Sequence, residues 1–381
     1  MIAYNTTWLY NKHVHEEVSE AFYNKSIDAD TYKMILATKE NKLYTPSFFI
    51  KVGLVILTLV GISSASGLIG LLTSAFDSIA AFCIVNAAIC YAALEFFVRT
   101  KYHYNSGVDN ALQVTVLVFL ASAFFNYNEL LFPCFSLMAV SLLIFVRFTD
   151  AFMAVVFFLF MESFLFLLLL KTGSFGKMAA PFVMMATSAI IYLTVNHLSK
   201  KKQLLFYLFS FDSIKVTALF LFYAAGNYFV VRELSNSMFD LHLTAKDGIP
   251  FGWLFWIFTV AIPIIYIGYG IRNRSLLFIR TGLILIAVIV FTVRSYYTVM
   301  PIETAMVLGG IALIVISYIL IKYLQTPKHL FTFKNTVKNK EGLANIEALL
   351  IAEAFGKRIV GNNVNDVTFG GGSAGGATGT F

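Results

Sequence analysis

Charge is what this chain has least of. Only 13% of its 381 residues are Asp, Glu, Lys or Arg, while 59% are hydrophobic; soluble domains carry about 25% charged and 45–50% apolar residues. The mean hydropathy is +0.77. One water-soluble core cannot bury that much apolar surface, so a soluble globular fold is excluded. Cysteine is scarce too. Cys83, Cys90 and Cys134 all fall in apolar runs, with no CxxC or Cys/His spacing to suggest metal or redox work. Thiols so placed behave as small hydrophobes. The six histidines lie mostly outside those runs, and His13 and His15, two apart, point to different faces of a helix. HExxH, GxSxG, Walker and GxGxxG motifs are all missing. A non-enzymatic protein with no cofactor and no metal is expected. Residues 1–46 also lack the basic region and small-residue cleavage site of a signal peptide.

What fills the chain instead is a series of uncharged stretches of about 18 residues or more, and about 20 such residues cross a bilayer as a helix. The expected fold class is all-α: a polytopic transmembrane helical bundle over 47–324, with about ten spans. The first lies near 48–66 and the last near 301–323. Lys and Arg near helix ends mark the cytoplasmic side. Arg99, Lys101, Arg147, Lys200, Lys201, Lys202, Arg272 and Arg274 then fall inside, and the poorer set Lys171, Lys177, Arg232, Lys246 and Arg294 outside. This places both the N-terminus and the C-terminus in the cytoplasm. The net charge of +7 is thus spread along span ends, which fits orientation in a lipid bilayer and not a nucleic-acid patch.

Three segments flank the bundle. Residues 1–46 predict a cytoplasmic helical pair, with Val14, Val18, Ala21 and Phe22 on one helical face and Asp28 capping a second helix that carries Tyr32, Ile35 and Leu36. Residues 325–358 hold a basic stretch followed by an amphipathic helix over 340–356. Its polar face carries Glu341, Glu347 and Glu353, which suits docking on a protein partner better than on lipid. Residues 359–381 form a Gly-rich tail, flexible by composition.

Polar residues inside apolar runs are costly and often functional. Glu162, in "VVFFLFMESFLFLLLL", is the foremost candidate for an intramembrane polar site, with Arg280 either its partner or snorkelling to the inner interface. Ser63 and Ser64, in "GISSASG", would unwind the first span in a transporter built on broken helices, or allow close packing between helices; packing is the favoured reading. At the cytoplasmic rim, Asp109 and Asn110 in "YHYNSGVDNALQ" are candidates for a partner or ligand contact. The favoured reading is that Ser106 and Asp109 form a capping box, with Gly107 and Val108 the first helical residues.

The opening helical pair with "SIDADTYKMIL", the first span "FFIKVGLVILTLVGI" and the following "YHYNSGVDNAL" together resemble uncharacterised bacterial families of predicted membrane proteins. The resemblance covers roughly residues 1–130. Such families begin with a small helical region before a multi-pass body, and what the resemblance implies is a bacterial cytoplasmic membrane location; it transfers no catalytic residue. Two functions follow as expectations. The first is a scaffold or accessory subunit of an envelope or membrane complex, working through the C-terminal helix. The second is a secondary transporter or lipid-handling protein with a mid-membrane polar site, and a cavity reaching Glu162 would favour it.

Overall fold

The computed structural model describes residues 2–24, 26–72, 78–124, 127, 129–239, 249–296 and 302–324. They form helices α1 (Thr6–Tyr23), α2 (Ala29–Thr38), α3 (Phe48–Leu72), α4 (Ile79–Lys101), α5 (Val108–Ala123), α6 (Leu131–Phe148), α7 (Ala151–Lys171) and α8 (Ser174–Leu198). A 3₁₀ turn over Lys202–Tyr207 then leads to α9 (Leu208–Gly226), α10 (Tyr228–Phe239), α11 (Gly252–Arg272), α12 (Leu276–Tyr296) and α13 (Ile302–Leu324). Among the described residues the only β pairing is a single bridge between Tyr44 and His103. The all-α helical bundle follows directly, because a helix satisfies its own backbone in lipid.

Eight helices among the described residues are long and apolar enough to cross a membrane. Helix α5, with 16 residues, and the Gly309–Ile319 stretch of α13 are shorter apolar helices. A count of ten needs both of these. The C-terminal segments 325–358 and 359–381, including the 340–356 helix, lie outside the described residues.

The chain divides into two units, one of residues 1–10 and 42–334, the other containing 11–41. In the second, Val14, Val18 and Ile35 pack together with Ile27 and Tyr32, and Asp28 caps α2 by accepting from Thr31 N at 3.4 Å. The helical pair thus forms as its apolar faces require, but its boundary is narrower than 1–46. Residues 2–10 belong with the bundle: Tyr4 and Leu9 are buried in the same apolar cluster as Val98, Leu112, Phe148 and Phe158. All three cysteines are free and buried.

Candidate functional site

Glu162 lies midway along α7, eleven residues past Ala151 (162 − 151) and nine before Lys171 (171 − 162), hence about 14 Å from the nearer end. It is 2% exposed. Its carboxylate receives hydroxyls from α8: Thr187 Oγ1 lies 3.1 and 3.0 Å from its two oxygens, and Ser188 Oγ lies 3.4 Å from Oε1. Among the described residues no pair joins Glu162 to Arg280, which is exposed on α12.

A cleft of about 420 Å³ reaches Glu162. Its walls come from four helices: Leu159, Phe166 and Leu170 on α7, Ala180, Met184 and Ser188 on α8, Leu221, Ala224 and Ala225 on α9, and Val231 and Leu234 on α10. Three alanines stand where larger side chains would fill the space. Lys177, three residues into α8, lines the other end. The cleft therefore runs from the Lys171–Lys177 end of the bundle to a carboxyl at mid-depth. An apolar cleft with a few convergent polar groups is the usual form of a small-molecule site.

A break between α9 and α10 shapes the fourth wall. Asn227 leaves the helix at φ −80°, ψ 129°, and its Oδ1 accepts from Phe229 N at 2.9 Å and Val230 N at 3.3 Å, capping α10. Its Nδ2 donates to Tyr223 OH at 2.9 Å and Thr292 Oγ1 at 3.1 Å, while Tyr228 N donates to Thr259 Oγ1 at 3.0 Å. Asn227, Thr259 and Thr292 are all buried. The backbone N–H groups freed by the break thus find side-chain partners in Asn227 itself and in Thr259 on α11, while Thr292 on α12 holds the Asn227 amide, the condition for non-helical backbone at membrane depth. The uninterrupted spans expected from the sequence do not include this break, although "AAGNY" joins a helix-ending Gly to a capping Asn within an apolar run.

The first span is not broken. Helix α3 is continuous through Ser63 and Ser64, whose hydroxyls bond back to Leu59 O at 2.8 Å and Val60 O at 2.9 Å. Both serines are exposed, and a Cβ added at Gly61 or Gly67 would meet nothing within 4 Å. Neither unwinding nor close packing within this chain describes them: hydroxyls that bond one turn back keep the helix intact, and no other described helix covers that face.

The rim cluster gathers where α4 and α6 end and where α5, α7 and α9 begin. Asp109, 1% exposed, accepts from Asn105 N at 2.6 Å, Ser106 N at 2.8 Å and Ser106 Oγ at 3.0 Å. Asn110 accepts from Gly107 N at 3.3 Å and donates to Asp150 Oδ2 at 3.2 Å, and Asp150 Oδ1 caps α7 through Met153 N at 2.8 Å. Ser210 Oγ donates to Thr149 O at 3.0 Å. Arg147 and Arg99 both pair with Glu95.

Capping was the expectation here, but its form differs. Gly107, at φ +98°, precedes the helix, and a Cβ there would collide with the Lys51 carbonyl. That sharp, glycine-dependent turn swings the Ser106 hydroxyl onto the Asp109 carboxylate and His103 Nδ1 (2.7 Å) instead of onto Asp109 N. Burial pushes the Asp150 carboxyl up, with Asp109 adding to it, while Met153 N–H and Lys51 oppose. Burial, reinforced by Asp109, Tyr104 and Asp150, holds the Tyr4 phenol well above its ordinary value, and burial lowers His103 against the pull of Asp109. Gln113 Oε1 and Thr149 Oγ1 have no hydrogen-bond partner here. Asp109 is thus buried and engaged in three bonds, and Asn110 and Asp150 accept from backbone N–H groups where α5 and α7 begin.

No group of three His, Cys, Asp or Glu among the described residues could hold a metal ion. Comparison with known protein families, curated proteins and solved structures finds no match to this chain.

Proposed function

We propose that this integral membrane protein is a transporter or lipid-handling protein that binds a small, largely apolar molecule in the cleft ending at Glu162. The observation that carries the reading is the cleft itself: about 420 Å³ of space bounded by α7, α8, α9 and α10 with one buried carboxyl at its floor. A protein whose only task is scaffolding has no need to keep a carboxyl at mid-depth beside open volume, where it costs stability. The scaffold reading drew on two cytoplasmic modules and an acidic helix; segment 325–358 with its 340–356 helix lies outside the described residues, and the N-terminal pair by itself does not favour that reading over the cleft.

The proposed setting is the bacterial cytoplasmic membrane, with about ten spans and both termini inside. In support, Arg99 and Arg147, both assigned to the cytoplasmic side, pair with the same Glu95 at one end of the bundle. Lys171 pairs with Glu129 at 2.7 Å at the other end. In that orientation the Lys177 end of the cleft faces outward. Native mass spectrometry of protein released gently from membranes tests the ligand-site reading. Wild type should carry an amphiphile that Ala224→Trp, with an indole in the cleft, and the milder Ala224→Leu progressively lose. Equal adducts on all three proteins would overturn it.

A further inference from the structure

We infer that the ligand of this cleft is a monovalent cationic amphiphile, an organic ammonium or phosphonium with apolar substituents, and that it and a proton occupy Glu162 in turn. This rests on the ligand-site reading above and specifies its chemistry. Three observations carry it.

The first is what faces Glu162. An ionised carboxylate at the centre of a membrane protein needs a counter-charge or a proton. Among the described residues no Lys, Arg or His pairs with it. The titratable groups that face this region from neighbouring helices are Cys134 on α6, whose thiol is turned to Phe160 O at 3.3 Å, and Lys177 on α8. The lysine stands at the cleft's far end and is engaged with another group. Helices α9 and α10 present apolar side chains and Ser235. With the cleft empty, a proton is the available counter-charge.

The second is Thr187. Its Oγ1 lies 3.1 and 3.0 Å from the two carboxyl oxygens, and also 3.1 Å from both Val183 O and Met184 O. A hydroxyl has one proton to give and can also accept. When Glu162 is protonated, its O–H donates to Thr187, which donates to Val183 O. When Glu162 is ionised, Thr187 turns its proton to the carboxylate, and the two carbonyls keep their helix bonds. Both charge states are satisfied without moving a helix.

The third is the wall. Apolar surface on four helices leads to this single carboxyl, which suits a molecule with apolar bulk and one positive charge. The step balances in charge: the proton leaves Glu162 for water at the mouth, the cation takes its place beside the carboxylate, and no bond other than O–H breaks.

The test uses the full chain in nanodiscs, with tetraphenylphosphonium, its near-isostere of opposite charge tetraphenylborate, and neutral triphenylphosphine. The expected result is preferential binding of the phosphonium, tightening as pH rises, with one proton released per cation in weakly buffered solution. Glu162→Gln should weaken the cation on the order of ten- to a hundredfold, as expected for losing a desolvated charge-assisted contact, and should abolish proton release while keeping triphenylphosphine. Thr187→Val, which keeps the carboxyl but removes the hydroxyl that stabilises its ionised form, should move cation binding to higher pH. If all three probes bind equally, or Glu162→Gln leaves the cation unaffected, the cation inference falls and the ligand site stands. If the borate binds best, the charge assignment is reversed and the inference falls. If no probe binds wild type, the ligand-site reading itself falls.

Discussion

Replacing Asp109 with Ala separates a helix-start role from a functional one. The carboxylate is 1% exposed and accepts three hydrogen bonds, from Asn105 N, Ser106 N and Ser106 Oγ. Alanine leaves two backbone N–H groups without their acceptor, and the hydroxyl retains His103 as an alternative. Each buried donor left unsatisfied costs about 1–3 kcal/mol. Water entering the vacated space recovers part of that, so a loss of roughly 3–4 kcal/mol is expected. Asp109→Asn keeps one acceptor oxygen and should lose about half as much. Thermal or denaturant unfolding in mixed micelles reads this directly, and Trp8, packed edge-on to Tyr102 at 4.8 Å, is a local fluorescence reporter of the same rim. A loss below about 0.5 kcal/mol, the usual size of an inconsequential surface change, would refute the reasoning. So would a stable, normally inserted Asp109→Ala protein that had lost ligand binding.

Further expectations concern other parts of the bundle. Gly107→Ala, forced to hold φ +98° with its Cβ against the Lys51 carbonyl, should cost about 1–3 kcal/mol or more in the same unfolding assay. Asn227→Ala removes the α10 cap and strips partners from Tyr223 and Thr292, so a loss of about 2–4 kcal/mol and faster hydrogen exchange confined first to 227–231 are expected. Asp150 is raised from its ordinary value by burial. The native state therefore holds its proton more tightly than the unfolded chain, and this group's contribution to stability falls as pH rises from about 4 through the folded value. Asp150→Asn lacks that term. The stability difference between wild type and the variant should drift in the variant's favour from pH 4 to 7, and a flat difference would contradict the assignment.

Uncharged runs made the helical membrane class legible, because water cannot serve a chain with so few charges. Glu162 was legible for the same reason: a lone acid in such a run has no bland neighbour. Its partners were not. Thr187 and Ser188 sit in "ATSA", which reads as a weak helix break until the fold brings α8 beside α7; the side chains that meet are 25 and 26 positions apart. Arg280 was the natural electrostatic guess, yet it stands exposed on α12, away from the hydroxyls of α8 that meet the carboxyl. The rim shows the opposite balance. Ser106 and Asp109 were recognisable as helix-start residues from local spacing, but the positive φ at Gly107, which decides which atom bonds which, follows from the approach of α3, invisible in a twelve-residue window. Residues 2–10 read as part of a separate helical pair, because nothing local reveals that Tyr4 inserts against Tyr104 and Phe148.

The most direct test of the account is infrared difference spectroscopy of the protein in lipid, recorded as tetraphenylphosphonium is added. The carboxylic C=O band assigned to Glu162 by its absence in Glu162→Gln should vanish on cation binding and return when the cation is washed out. A band that is unchanged in the presence of saturating cation would contradict the claim that the cleft's ligand meets Glu162.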